Sequence, residues 1–456
     1  MAALTESELF PRLNEDGRRL LRQLREHPAA PRYTHQIGDR LTPEAFQRVC
    51  EFQADLETGT ATRGWSPRTP PDWWASHLAF AYRDVPFYRR RGAPPAQLAD
   101  APTTNRKDLE AEPWAFVPDS QPLEELTVYT TSGTHGRPLS VLSGVEVSAM
   151  YLPLLQWALA RRSVTLEGGP GKVAIAQVCA QRFTFTFPTI ATYLDQAAMV
   201  KVNLNPTEWR APEDRARFLD DCRPEIIAGD PIAFAELLRL PMRWRPKALV
   251  SASMAMPPML RERLEARFGP VLDIYSITET GPIAVEERGE WILFPRRLYV
   301  ETVASDDRPS GDGELGEVAV TGGFNAFLCL LRYRTGDSGS LTFRGSQPVL
   351  RDLQLRPPTV YRRADGRLLN NIDVTMALQP FGLDRFGVFQ SAAGDVQLKV
   401  AGIEIPESEL RKAISDAFGA GVSLAIERMT ANEAHGHVPE HRSEIPFQGL
   451  FEQGLW

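Results

Sequence analysis

The chain has 456 residues, 43% of them hydrophobic, enough for two or more domains of roughly 100–200 residues and too many for general disorder. With 51 basic against 58 acidic residues the net charge is −7, which excludes a general nucleic-acid binder but not a local basic groove. Mean hydropathy is −0.27, no uncharged apolar run nears the ~18 residues of a membrane span, and the N-terminus lacks a basic-then-apolar leader. The expectation is a cytoplasmic protein with no membrane and no nucleic-acid partner.

In chain order, residues 1–60 carry helical periodicity, with Leu13, Leu20, Leu21 and Leu24 on one face. The proline- and tryptophan-containing GWSPRTPPDWW, residues 64–74, reads as a turn before another helical stretch ending near Arg83. From about 125 onward, β-rich runs (KVAIAQVC, EIIAGD, KALVSAS, VLDIYS) alternate with helical ones (RARFLDDC, IAFAELLRL, MLRERLEARF), which predicts α/β with a largely parallel sheet. Residues 295–345 read as antiparallel β, and a β-barrel-like part is expected within the large domain. After about 355 the prolyl stretch LRPPTVYRRADGR leads into a hairpin-like region and one good helix, PESELRKAISDAF. The fold class is therefore a large N-terminal α/β domain, residues 1–354 with a mainly helical lead-in over 1–100, and a small α+β C-terminal domain, residues 355–456.

Cys50, Cys179, Cys222 and Cys329 form no CxxC pair, which argues against a disulfide framework or a cysteine zinc site. His435, His437 and His441 fall in HGHVPEH, a turn-rich segment without carboxylate or thiolate partners at a ligand interval. It reads as a solvated tail.

The most informative segment is VYTTSGTHGRPLSV, residues 128–141. An apparent strand precedes Thr130 to Arg137. Small residues there let backbone N–H groups approach an anion, hydroxyls donate hydrogen bonds, and Arg137 neutralises charge. These are the needs of a polyphosphate. The spacing is not that of a P-loop, and no lysine follows the second glycine.

This segment resembles the TSGTTGKP phosphate loop of adenylate-forming ligases, the superfamily of acyl-CoA synthetases, peptide-synthetase adenylation domains and luciferases. DIYSITETGP, residues 273–282, is similar to that family's Y-G-x-T-E motif, and LLRYRTGD, residues 330–337, to its Y-R-T-G-D motif. DVPFYRRR (84–91) and PTTNRKDLE (102–110) look like the N-terminal part of phenylacetate–CoA ligase relatives. The likeness covers roughly residues 75–345 well and the rest loosely.

The resemblance implies ATP and Mg²⁺ as cofactors, with CoA as the default acceptor. Thr131, Ser132, Gly133, Thr134, Gly136 and Arg137 would hold the β- and γ-phosphates, Thr278 the α-phosphate, and Glu279 the Mg²⁺. Tyr275 would lie near adenine, with Ser253 and Met254 in the adenine-side loop. Asp337 would take both ribose hydroxyls. Arg356 matches the arginine of the family's hinge. The reaction implied is attack of an acid oxygen on the α-phosphorus, with pyrophosphate leaving and a nucleophile later capturing the mixed anhydride.

Four departures stand out. Arg137 replaces the usual lysine and His135 a hydroxyl residue, so phosphate geometry changes. Ser276 replaces the glycine after Tyr275. At the hinge, Pro357 and Pro358 follow Arg356 and restrict the rotation by which the family passes from adenylation to thioester formation. Finally, His437 stands where the family's C-terminal catalytic lysine would be, and the lysines after residue 350, Lys399 and Lys412, sit in no comparable setting. A histidine supplies a proton or a hydrogen bond there, not a permanent charge.

FTFTFP, residues 183–188, would place Phe183, Phe185 and Phe187 on one face if it is a strand, either as an aromatic wall for an aryl acid or as a core face. The expected activity is ATP-dependent adenylation of a small, aromatic carboxylic acid. The alternatives are activation of a non-carboxylate acid such as nitrite for aryl-amine diazotisation, and a catalytically silent nucleotide-binding relative. Amine capture in place of CoA, the identity of the acid and the oligomeric state stay open at this level.

Overall fold

A computed structural model of the chain describes residues 4–67, 69–97, 100–130, 139–383, 385–402, 404–429 and 440–456. Two strands, β1 (Leu126–Thr130) and β2 (Ser140–Gly144), form a separate antiparallel hairpin with Thr130 opposite Ser140. The hairpin stands beside one twelve-stranded sheet that organises most of the chain.

The parallel half of that sheet comprises β3 (Val173–Cys179), β5 (Ala197–Asn203), β6 (Ile226–Gly229), β7 (Ala248–Ala252) and β8 (Val271–Ile277). An edge strand, β4 (Phe187–Ala191), runs antiparallel to β5. Ile226, Ile227, Ala248 and Leu249 are wholly buried because helices cover both faces, which is why these short runs carry no polar alternation. The crossover helices Asp214–Cys222, Pro231–Arg239 and Pro258–Phe268 pack on one face, and Val147–Ala160 on the other. Local chemistry fixes their starts. Asp230, for example, accepts from the amides of Ile232 and Ala233 while Pro231 occupies the first helical position.

The antiparallel half comprises β9 (Gly281–Glu287), β10 (Glu290–Leu293), β11 (Leu298–Val303), β12 (Leu315–Gly322), β13 (Tyr333–Arg344) and β14 (Gln347–Gln354). It runs wider than the expected 295–345, since the chain reverses at Gly281 as soon as β8 ends. The strand order is β11-β12-β13-β14-β10-β9-β8. Four steps separate β13 from β8, about 19 Å in a flat sheet. Nevertheless Tyr275 on β8 donates from Oη to Asp337 on β13 at 3.0 Å. The sheet therefore curls into a barrel-like trough, filled by Tyr275, Ile283, Trp291, Val300, Val320 and Tyr333.

The C-terminal region holds a hairpin, β15 (Val360–Arg362) with β16 (Leu368–Asn370), and a four-stranded sheet of order β19-β18-β17-β20. Those strands are β17 (Arg385–Gln390), β18 (Val396–Ala401), β19 (Leu424–Arg428) and β20 (Glu440–Ser443). The expected helix is present as Glu407–Phe418, and Ile414 and Phe418 join Phe386, Leu398 and Val400 in a core of its own. Val360, Leu368, Ile372, Ile445, Leu450 and Leu455, however, belong to the core of the large sheet. Asn370 Nδ2 donates to the carbonyl of Ala180 at 2.8 Å, and Arg239 Nη1 to that of Glu452 at 2.9 Å. No described helix is long and apolar enough to cross a membrane.

His441 corrects the reading of its segment as a solvated tail. It lies on β20, and its two ring nitrogens stand 2.9 Å from the hydroxyls of Tyr361 and Thr375. Burial pushes its pKa down to about 3, so it is a neutral structural histidine.

At the junction of the two regions, Asp373 accepts from the amide of Arg182 at 2.8 Å. Burial pushes its carboxyl up to about 7, against an ordinary 3.8. The folded state therefore holds this proton more tightly than the unfolded chain. The associated stability is complete below about pH 4 and is lost as pH rises through 7. Asp373→Asn is expected to gain on the wild type by on the order of 2–4 kcal/mol between pH 5 and pH 8, read by urea unfolding at each pH. A constant difference across that window would contradict the assignment.

Candidate active site

The site is assembled where β8 and β13 meet. Tyr275 is only 2% exposed, and its hydroxyl reaches both Thr335 Oγ1, at 3.2 Å, and Asp337 Oδ2, at 3.0 Å. Thr335 donates in turn to the carbonyl of Val318 at 3.0 Å and accepts from the amide of Asp337 at 3.2 Å. One threonine thus fixes the rotamer of the tyrosine and the backbone of the aspartate together. Burial raises the pKa of Asp337, while the guanidinium of Arg356 opposes that rise. Burial lowers Arg356, and Asp337 holds it up. Arg356 keeps an exposed face and Asp337 is half-buried, so the two act on each other through their charges.

Glu279 lies in the turn after β8, where Tyr333 Oη donates to its Oε1 at 2.7 Å. The turn is tight. Gly281 sits at φ +72°, and a Cβ there would lie 2.5 Å from the ring of Tyr151, so only glycine fits. A bulge between Tyr275 and Ser276 turns the strand end just ahead of Thr278. Ser253 has φ +78°, a left-handed conformation costly for a side-chain-bearing residue. The same loop is tied to the C-terminal region, the amide of Ala255 donating to the carbonyl of Arg356 at 2.8 Å.

The structure thus brings together Tyr275, Asp337 and Arg356, and sets Glu279 against Tyr333 from the same strand as Asp337. Thr131, Ser132, Gly133, Thr134, His135, Gly136, Arg137 and His437 lie outside the described residues. The pairing of Thr130 with Ser140 holds the two ends of the phosphate-loop segment side by side. Tyr333, Thr335 and Glu317 carry supporting contacts that had no role in the sequence reading. Glu317 accepts from the amide of Gly336 at 3.1 Å. Tyr333 and Thr335 lie inside the Y-R-T-G-D match, which signals their place but not their work.

The FTFTFP expectation fails in both of its forms. Phe183 and Phe185 are 68% and 46% exposed, and Lys201 Nζ stands 3.4 Å from the ring centre of Phe185. The strand begins only at Phe187, on the open edge of the sheet, so these rings line neither the site nor a core.

Tyr275→Phe removes the donor shared by Thr335 and Asp337 and leaves a half-buried carboxylate short of a partner. Its expected cost is about 1–2 kcal/mol of unfolding free energy, measured by urea denaturation. An unchanged stability would mean that the bond does not hold β8 to β13.

No protein-family model matches the chain. Phenylacetate-coenzyme A ligase of Escherichia coli is 27% identical to it over 287 residues, covering 57% of this chain and 63% of that protein. The corresponding ligase of Pseudomonas putida is 26% identical over 302 residues, covering 60% and 66%, and that of Thermus thermophilus 26% over 293 residues, covering 58% and 63%. The chain therefore spans less than two thirds of the length of these curated relatives. Among solved structures, 2-hydroxyisobutyryl-CoA ligase aligns over 92% of this chain and 97% of its own, with 17% identity and a TM-score of 0.48, too slight a likeness to argue from. The sequence matches, together with the motifs at 273–282 and 330–337, make the chain similar to phenylacetate-coenzyme A ligases and support the adenylate-forming superfamily as its setting.

Proposed function

We propose that the protein activates a small carboxylic acid as its adenylate and passes the acyl group to CoA. The acid's carboxylate oxygen bonds to the α-phosphorus of ATP, the bond from that phosphorus to the bridging oxygen breaks, and pyrophosphate leaves with the electron pair. The thiol sulfur of CoA then attacks the acyl carbon and AMP departs. The supporting observation is the meeting of Tyr275, Thr335 and Asp337 from two distant motifs, with Glu279 braced by Tyr333 beside them.

In this reading Asp337 takes the ribose hydroxyls, and Arg356 stands by as its counter-charge. Thr278 holds the α-phosphate, and Ser253 and Met254 border the adenine. Arg137 and the small residues of 131–136 cradle the outgoing phosphates. His437 takes the place of the family's lysine. Glu279 fits Mg²⁺ by its donor chemistry, a hard carboxylate oxygen left over after the other accepts from Tyr333. Among the described residues no cluster of three or more His, Cys, Asp or Glu is present, so phosphate oxygens would complete such a coordination shell. Bound there, the ion spreads the charge that develops on pyrophosphate.

An amine acceptor, giving an amide, is the second reading. It is favoured by the burial of Leu368, Ile372, Leu450 and Leu455 in the large core beyond Pro357 and Pro358, which opposes a wide swing of the C-terminal region.

The test is ATP–pyrophosphate exchange over a panel of acids. Acid-dependent exchange is expected, and Glu279→Gln is expected to lower it at least ~100-fold while leaving ATP affinity within a few-fold. CoA consumption against hydroxylamine or amine capture then separates the two acceptors. Exchange without any acid dependence, or a Glu279→Gln variant of full activity, would overturn the reading.

A further inference from the structure

Arg296, the residue just before Arg297 at the foot of β11, is 2% exposed. Its Nη2 donates to the carbonyls of Thr280, at 2.9 Å, and Pro282, at 2.6 Å. Its Nε and Nη1 have no hydrogen-bond partner among the described residues. Its guanidinium carbon stands 4.9 Å from the ring centre of Phe324. A buried guanidinium with two unanswered nitrogens and no paired carboxylate is an expensive arrangement, and an anionic oxygen is the group that relieves it.

Arg296 also lines a cavity of about 210 Å³. At roughly 30 Å³ per water-sized unit, that is room for an aryl ring with one polar substituent. Phe52 and Phe324, with ring centres 5.3 Å apart, and Met150 supply flat apolar wall. Arg48, at the rim, is already paired with Glu125 at 2.7 Å and Glu146 at 3.2 Å. Glu51 and Asp55 line the cavity too, and neither makes a hydrogen bond or ion pair with Arg296. The cavity adjoins the Glu279 turn, since Phe324 and Tyr151 both pack on Gly281 and Arg296 holds the carbonyls on either side of it. Burial pushes Arg296 down to about 9, which leaves it charged at neutral pH.

We propose that this cavity takes the far end of the acid substrate and that Arg296 pairs with an oxyanion there, so that the preferred substrate is a small aromatic acid carrying a second acidic group. The inference rests on the adenylation reading and names the substrate class for it.

The experiment is ATP–pyrophosphate exchange with matched acids: phenylacetate against 4-carboxyphenylacetate, and benzoate against isophthalate. For the wild type, kcat/KM is expected to be at least tenfold higher for the dicarboxylate of at least one pair. In Arg296→Met and Arg296→Lys that ratio is expected to fall at least tenfold and about threefold. Equal values for both members of each pair in the wild type, or a preference for the monoacid, overturn the inference while leaving adenylation intact. That arm stands even where a variant does not fold. Monoacid exchange accelerated by free sulfate in the wild type but not in Arg296→Met would overturn it in favour of a separate anion effector. Exchange with no acid at all overturns it together with the adenylation reading.

Discussion

The curl that lets β8 and β13 touch is the constraint on which the site depends. Flat, the same sheet would hold the Thr-Glu turn and the Tyr-Arg-Thr-Gly-Asp strand four strands apart, and Tyr275 would not reach Asp337. The bend is localised. Register shifts fall at Tyr275/Ser276 on β8, between Glu317 and Ala319 of β12 against β13, and between Ser338 and Ser340 of β13 against β14. Each bulge adds twist where a site residue has to change direction. Strand-pairing irregularities and functional residues coincide because the same local distortion produces both.

Charge at the site follows from burial. Burial raises Asp337 and the charge of Arg356 opposes the rise, while Tyr275 donates to the carboxylate and Thr335 accepts from the Asp337 amide to hold its backbone. Arg332, one residue before the motif tyrosine, shows the same economy. It is 1% exposed, its Nε donates to Glu301 at 2.9 Å, and Nη1 donates to the carbonyl of Ala101 at 2.8 Å. Its guanidinium is spent on fixing where Tyr333 begins. Arg296 differs in that two of its nitrogens have no such answer.

Much of this was legible in the sequence. Short apolar runs alternating with amphipathic ones gave the parallel half, because strands covered on both faces leave no polar alternation. The ordered motifs at 273–282 and 330–337 pointed to Tyr275, Glu279 and Asp337. A barrel-like part was expected, but which strands the curl would join was not legible, since that depends on contacts some 60 residues apart, as in the Tyr275–Asp337 bond. Alternation in FTFTFP misled because a two-residue period marks a strand only where pairing exists, and pairing starts at Phe187. His441 looked like part of a tail because nothing nearby in sequence buries it; its partners, Tyr361 and Thr375, come from β15 and the helix Asn371–Leu378. Arg296 drew no notice, because nothing in the run RRLYVETV marks which of its two arginines is buried.

The C-terminal four-stranded sheet is joined to the large body at both of its ends. On one side Asn370 grips Ala180 and Leu368 enters the large core, and on the other Ile445, Leu450 and Leu455 do the same. The two attachments meet, since a Cβ at Gly449 would lie 3.5 Å from Leu368 Cδ1, so both ends of the region are seated on one patch of the large core. Lifting the region off that patch would wet Leu368, Leu450 and Leu455 together, so its two ends come away jointly or not at all.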